Sequence, residues 1–466
     1  MLISKSDGGG RSRQAEDVIE RATNQPTIEA ERTGNTPADA SSDRTHKPMN
    51  PSSDNTGASA AAADGAEPPI IDLSRPETEV TAQIAQACST WGFFQVINHG
   101  VPLHLVDEFK SESQKFFDLP RKDKLALKRN ARNARGYFDD ELTKQRRDWK
   151  EAIDIGMPGS RNWSIKDDDV SNGCLDGFNR FPPEDLLPNY RPTVVKYFTA
   201  CQELSHRISI LMANGLGVQV ESEWNDNGDE KKSGEDGKAE EGGTTDDEDA
   251  GMIATLREQH TSYLRTNFYP PFIPGETVLS DSKQPPPLGI SPHKDAGFVT
   301  VLVQDDDCHS LQVAQFENGD ESLDPTWRTV HPVPGAFTIN TGDMAMIWSN
   351  GRYRAPLHRV LTATATRISA PFFYNPGFAQ IVRPAASLKE KPMYHPCSWG
   401  YFRAVRFAGD FTDIGVEIQI TDFLCKEEQR EESEGYPHLR RQEAFLRAVD
   451  FAVPFDIDQF RALLEG

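Results

Sequence analysis

Apolar and polar positions alternate with two different periods along this chain, and the change of period divides it. After a first stretch, residues 1 to about 66, rich in Ser, Thr, Asn, Asp, Gly and Ala with almost no branched apolar or aromatic residues, the pattern predicts a disordered tail, because too little apolar surface exists to offset the entropy of ordering. Order is expected from "PPIIDLS" (68–74), a short strand. Val80, Ile84, Ala87 and Cys88 then recur at helical spacing before a strand in "FFQVINHG". Further helical patterns cover 103–117, 121–129 and 191–217, the last closing at Gly215 and Gly217. From 252 the period shortens. "TSYLRTNFY", "FVTVLVQ", "LQVAQF", "AFTIN", "MAMIWS", "HRVLTA" and "ISAPFFY" read as short strands divided by Gly, Pro, Asn and Asp, the signature of a sandwich or barrel. From about 419, "ITDFLCKEEQ" and "RRQEAFLRAVDF" return to helix.

The predicted organisation is therefore a tail (1–66), a helix-rich N-terminal region (67–220), an acidic insertion (221–251), a β-rich core (252–425) and a C-terminal helical segment (426–466). The insertion holds 13 acidic and 3 basic residues between 221 and 250, so −10 of the net charge of −22 resides there. Such a run reads as a solvated surface segment. The acidic balance argues against nucleic acid, which needs clustered Lys and Arg. No apolar run of membrane-spanning length and no secretory h-region is present. Six scattered cysteines without a C-x-x-C pair suggest reduced thiols, hence a cytoplasmic protein, and a monomer is expected.

Candidate chemistry begins in "SPHKDAGFVTVLV" (291–303). Alternate side chains of a strand share a face, so His293 and Asp295 are expected to point one way and Lys294 the other. One imidazole and one carboxylate are an incomplete ligand set, and His358, at the start of "HRVLTA", is the best third member. Two His and one carboxylate on one face of a metal leave the opposite positions open, as in non-haem Fe(II) oxygenases. An isolated H-x-D pair arises often by chance. Two further strands strengthen it: Arg367 and Ser369 in "TRISAPFFYNP", a grip suited to a carboxylate, and Arg265, Asn267 and Tyr269 in "YLRTNFYPP". Polar side chains aimed into a barrel are costly unless they serve a ligand.

At these residues the chain resembles the iron(II)- and 2-oxoglutarate-dependent dioxygenases of the isopenicillin N synthase-like class. The resemblance runs from about 68 to 425, through "WGFFQVINHGVP", "RGYFDDELTKQRRDWKEAIDIG", "LRTNFYPP", "SPHKDAGFVTVLVQD", "GDMAMIWSNGRYRAPLHRV" and "RISAPFFYNP" in the family's order. It implies a distorted double-stranded β-helix, or jelly roll, with flanking helices. It implies that His293, Asp295 and His358 hold Fe(II), that Arg367, Ser369 and Tyr269 take the distal carboxylate of 2-oxoglutarate, and that Asn267 lies near its chelating end. Phe373 is implied as a substrate-packing position, Tyr137 as closing the pocket from the helical side, and a helical lid around 91–160 as excluding water. The implied reaction consumes O2 and 2-oxoglutarate, with ascorbate as reductant, and hydroxylates or desaturates a small secondary-metabolite-like or hormone-like molecule. A same-fold iron oxidase without 2-oxoglutarate and a non-catalytic binding protein are the alternatives. Zinc hydrolysis is disfavoured by the lack of H-E-x-x-H. The acidic insertion and the polar stretch 314–326 depart from the family pattern by lengthening loops. His99, His206, His309, His331 and His395 are expected to be structural or loop residues.

Overall fold

The computed structural model describes residues 67–130, 133–143, 146–157, 177–220, 245–258, 260–273, 287–305, 307–411, 418–425, 451–456 and 459. The tail expected at 1–66, the acidic stretch 221–244 and most of the predicted C-terminal helical segment 426–466 lie outside the described residues; the described run 451–456 of that segment is turn and loop rather than helix.

In chain order the strands are β1 Ile70–Asp72, β2 Phe93–Ile97, β3 Gly136–Phe138, β4 Leu142–Thr143, β5 Arg146–Arg147, β6 Glu151–Gly156, β7 Tyr263–Tyr269, β8 Ile290–His293, β9 Val299–Gln304, β10 Leu311–Gln315, β11 Thr326–Thr329, β12 Phe337–Thr341, β13 His358–Val360, β14 Arg367–Tyr374, β15 Ile381–Val382 and β16 Cys397–Ser398. The α-helices are α1 Glu77–Thr90, α2 Leu103–Phe117, α3 Arg121–Leu125, α4 Tyr190–Leu216, α5 Thr245–Glu258, α6 Asp343–Trp348 and α7 Trp399–Phe411. A major sheet of eight strands runs β1-β2-β12-β9-β14-β7-β6-β3, and a minor sheet of four runs β11-β10-β13-β8.

Alternation along the strands explains how the layers stack. On β14, Ile368, Ala370, Phe372 and Tyr374 join the larger apolar core, together with Val80 and Ile84 of α1, Phe109 of α2 and Tyr197 of α4. The helices thus cover the back of the major sheet. On its front, Phe93, Tyr269 and Leu302 meet Leu311, Val313 and Val360 of the minor sheet in a second, smaller core. Two sheets closing over one interior, helices outside, is the predicted double-stranded β-helix. α1 buries Val80, Ile84, Ala87 and Cys88, the residues whose spacing predicts it.

The structure differs from the sequence reading at several elements. β1, β2, β3 and β6 belong to the major sheet, so the helix-rich region 67–220 also supplies four strands of it, β3 and β6 among them without having been predicted. Among the described residues of 91–160, the expected helical lid, only α2 and α3 are α-helical. α3 ends at Leu125 rather than 129, and α5 starts at 245, inside the predicted insertion. "MAMIWS", expected as a strand, is α6. A six-residue apolar run cannot be assigned by periodicity, and here the loop decides it: the N–H groups of Asp343 and Met344 donate to the carbonyls of Asp295 (2.8 Å) and Gly297 (3.0 Å). Two amides that a helix start leaves unpaired are thereby satisfied, and the segment carrying Asp295 is held. The approach is close enough that a Cβ on Gly342 would collide with the Gly297 carbonyl.

Candidate metal centre

His293 ends β8 and His358 begins β13, two strands of the minor sheet that pair at these residues. Asp295 stands beyond the end of β8, so strand alternation does not aim it. Hydrogen bonds do: its Oδ2 accepts from Thr300 Oγ1 at 2.6 Å and from Asn340 Nδ2 at 2.8 Å, leaving Oδ1 facing the imidazoles. Oδ1 lies 3.6 Å from His293 Nε2 and 3.7 Å from His358 Nε2. Among the described residues these three form the one group of His, Cys, Asp or Glu whose ligand atoms all lie within 4.8 Å of one another.

Each ring is oriented from behind. His293 Nδ1 donates to the Ser291 carbonyl at 2.8 Å and His358 Nδ1 to the Pro356 carbonyl at 3.1 Å, which assigns the proton to Nδ1 and leaves the Nε2 lone pairs directed at the shared point. Burial, reinforced by the neighbouring His358, pushes the His293 pKa well below its ordinary value, which favours the neutral imidazole a metal ligand needs. Burial alone would raise Asp295. The imidazoles of His358 and His293 and the bonds from Asn340 and Thr300 outweigh it and hold the carboxyl below its ordinary range. Two imidazole nitrogens and one carboxylate oxygen converging on a point suit an iron ion with open positions opposite.

The front of the major sheet supplies the adjoining pocket. Ser369 pairs with Asn267 of β7 on one side and with Gln304 of β9 on the other, and Arg367 pairs with Tyr269. All five are buried. The Arg367 guanidinium lies over the Tyr269 ring at 4.8 Å and donates through Nη2 to Gln304 Oε1 at 2.8 Å. Ser369 Oγ is 3.4 Å from Tyr269 Oη and 3.5 Å from Asn267 Nδ2. Arg367 Nε and Nη1, Gln304 Nε2 and Asn267 Oδ1 are buried without a hydrogen-bond partner. Each unmade bond costs about 1–3 kcal/mol. A buried cation surrounded by unused donors is the arrangement a carboxylate would complete.

The other predicted positions divide. Phe373 shares the front face with Ser369, half-buried, stacked on Tyr263 at 4.8 Å and paired in register with Thr300. Tyr137 is not brought to the site. It pairs with Ile153 on the back of the sheet, packs in the helix-side core with Phe116 and donates to Glu151 Oε2 at 2.9 Å; its neighbour Phe138 takes the front, beneath Arg265 and Arg129. Arg265 does point inward, but into an ion cluster: it pairs bidentately with Asp154 and also with Glu141, which Lys150 contacts at 2.8 Å. Lys150 also approaches Asp148 at 3.3 Å. Burial lifts the Asp148 carboxyl to about 6 against the pull of Lys150.

Thr300, Asn340 and Gln304 were not singled out by sequence reasoning. Their signal was present. In "VTVLVQ" and "FTINT" they are polar residues at front-facing parity in strands whose back-facing positions are apolar except for Thr341 at the end of β12.

Comparison with known proteins agrees with this geometry. Residues 68–184 match the profile of the N-terminal region of the non-haem dioxygenase in morphine synthesis, and residues 260–376 that of the 2OG-Fe(II) oxygenase superfamily. The chain is 30% identical over 339 residues to azadirone synthase LFS of Melia azedarach, covering 70% of this chain and 87% of that protein. It is 29% identical over 369 residues to jasmonate-induced oxygenase 2 of Arabidopsis thaliana, covering 76% and 83%. A crystal structure of JOX2 in complex with 2OG, Fe and JA superposes with a TM-score of 0.55 at 29% identity, over 73% of this chain and 84% of that one. A full-length Neurospora crassa protein crystallised with alpha-KG and thymine shares the fold, with a TM-score of 0.56 at 21% identity over 75% and 99%. Fold, ligand cluster and matched regions together establish that this chain belongs to the 2OG-Fe(II) oxygenase superfamily, as an Fe(II)- and 2-oxoglutarate-dependent dioxygenase.

Proposed function

We propose that the protein oxidises a small, largely apolar molecule of the secondary-metabolite or hormone class, with His293, Asp295 and His358 as the iron ligands and Arg367, Ser369, Tyr269 and Asn267 as the 2-oxoglutarate pocket. The observation that carries this reading is the junction of two features: three metal-ligating atoms within 4.8 Å of one another, and the partnerless Nε and Nη1 of a buried arginine on the sheet that faces them. When bound, iron and 2-oxoglutarate would supply the oxidant: O2 is consumed as the keto acid loses CO2 to become succinate with one oxygen atom, and the other oxygen either enters the substrate or leaves as water with two substrate hydrogens.

The chain's own residues divide the remaining work. His293 and His358 offer fixed lone pairs because their Nδ1 protons are committed to carbonyls. Asp295 lends one oxygen while Thr300 and Asn340 hold the other. Arg367 takes the distal carboxylate in a dry, positively charged recess, where a charge-assisted bond is strong. Phe373 and Tyr263 form an aromatic ledge that orients the substrate, and position decides which C–H reacts. Front-facing parity and half-burial support that role for Phe373. Relatives named for jasmonate, azadirone, a flavonoid and gibberellin support the substrate class. One chain supplies every proposed ligand, which supports a monomer as the working unit, and the free thiols of Cys88, Cys201, Cys308, Cys397 and Cys425 support a reducing compartment such as the cytoplasm.

The test is a mass-spectrometric screen of metabolite extracts with Fe(II), ascorbate and 2-oxoglutarate. A product heavier by one oxygen or lighter by two hydrogens, formed in step with succinate, is expected. Oxidation of a substrate without succinate would replace this reading with an oxidase that does not use the keto acid.

A further inference from the structure

Gln304 is the last residue of β9, and its register opposite Ser369 sets it on the front face beside Arg367. Its amide has two ends with opposite demands. Arg367 can only donate, so the amide oxygen must face the guanidinium, as it does at 2.8 Å. Nε2 is thereby turned away from Arg367, and it is buried without a partner. The same neighbourhood holds Arg367 Nε and Nη1, equally unpartnered. These unused donors beside one buried cation call for an acceptor with several lone pairs and negative charge, and a carboxylate provides both. The backbone of Gln304 is itself held: its carbonyl accepts from Lys110 Nζ at 2.9 Å. The next residue, Asp305, accepts through Oδ2 from the N–H of Ile368 at 2.7 Å, tying β9 to the strand that carries Arg367.

We propose that Gln304 both positions Arg367 and contacts the distal carboxylate of the keto acid through Nε2, so that this subsite selects for a charged distal group. The inference rests on the reading of Arg367 given under Proposed function. It predicts an asymmetry that a merely structural glutamine would not produce. Gln304→Leu removes the donor and leaves Arg367 Nη2 unheld. Gln304→Glu keeps an acceptor for Arg367 but turns the donor into a negative oxygen facing the incoming anion.

The experiment is calorimetric titration of the full-length, Fe(II)-loaded protein under anaerobic conditions with two probes: 2-oxoglutarate, and 2-oxoglutaramate, which keeps the chelating end and replaces the distal carboxylate with a neutral amide. Expected is a loss of about tenfold in 2-oxoglutarate affinity for Gln304→Leu, a larger loss for Gln304→Glu, and 2-oxoglutaramate affinity changed by less than about twofold in Gln304→Leu. Equal losses for both probes, or unchanged affinity for 2-oxoglutarate in Gln304→Glu, would overturn the proposal. Arg367→Ala separates the two claims. If it abolishes the preference for 2-oxoglutarate while both Gln304 variants retain it, the Gln304 role alone fails; if Arg367→Ala also retains it, the assignment of the pocket fails.

Discussion

His358 sits directly opposite His293 in the antiparallel pairing of β13 with β8, their ring centroids 4.3 Å apart. The pairing register therefore determines the separation of the two imidazoles, and the only ligand that must be brought in from outside the sheet is Asp295. Replacing either His293 or His358 by alanine removes one of three ligand atoms, and the expected outcome is loss of bound iron after gel filtration, read by elemental analysis, with no substrate-dependent succinate. Asn340→Leu leaves all three ligands but frees Asp295 Oδ2 to rotate; metal affinity should fall by about 10–100-fold, which a competition titration with a chelator measures. Retention of wild-type affinity in Asn340→Leu would mean that the Thr300 bond alone orients the carboxylate.

Much of this centre was legible in the sequence, for reasons that also explain what was not. His358, Arg367 and Ser369 lie on strands whose parity is visible as polar residues in otherwise apolar runs, and a two-residue period needs no tertiary information to be read. Asp295 reached the right place by a different route. Its side chain is aimed by Thr300 and Asn340, residues 5 and 45 positions away in sequence, and no local pattern encodes a bond across that separation. Tyr137 shows the complementary failure: a one-residue change of register moves a side chain to the other face, and nothing within "RGYFDD" says whether Tyr137 or Phe138 faces the metal side. α6 was hidden because its N-terminal amides are satisfied by the loop that follows β8, a long-range contact overriding the strand-like look of "MAMIWS".

Two buried histidines on the helical side give the protein an acid sensitivity unrelated to its metal. His206 on α4 lies 3.2 Å from Tyr374 Oη through Nδ1, and His260 precedes β7; burial pushes both pKa values down to about 4. Since the folded-state values lie below the ordinary 6.5, both are neutral in either state above that pH and contribute no dependence there. Between 6.5 and 4 the unfolded chain binds protons that the folded chain refuses, so stability falls as pH falls. The expected loss is on the order of 3 kcal/mol per histidine across that window. Urea unfolding at pH 7 and pH 4.5 should show a smaller difference for His260→Gln than for the wild type.

Arg265 tests whether the inward-facing charges serve stability or ligand binding. Its guanidinium forms two bonds to Asp154, at 2.8 and 2.9 Å, and one to Glu141, and Asp154 is 1% exposed. Arg265→Met leaves that carboxylate buried without its counter-charge, for an expected cost of about 3–5 kcal/mol. The double variant Arg265→Met with Asp154→Leu removes both charges and should recover most of the loss. Denaturant titrations of the wild type, Arg265→Met, Asp154→Leu and the double variant close the cycle. Binding of 2-oxoglutarate to folded Arg265→Met should remain near wild type, because Arg367 and Gln304, not Arg265, form the proposed carboxylate recess.

The opposite orientations of Phe373 and Tyr137 allow substrate contact to be separated from core packing. Phe373 stands on the front of β14, in register with Thr300, whose hydroxyl donates to Asp295, so its ring borders the metal centre and is half-buried against Tyr263. Truncation to alanine removes an aromatic surface from that border without touching a ligand or the Arg367 recess. Phe373→Ala should therefore bind iron and 2-oxoglutarate as the wild type does, while substrate-stimulated turnover drops by at least about tenfold, the consequence of a misplaced C–H, and more succinate forms per substrate oxidised. Tyr137→Phe deletes only a hydroxyl that donates to Glu151 on the far side of the sheet; its expected effect is about 1 kcal/mol of stability with an unchanged ratio of succinate to product. Should Tyr137→Phe alter that ratio and Phe373→Ala leave it alone, the substrate would have to approach from the helical face, through a core that holds Phe116, Tyr190 and Tyr197 packed within it.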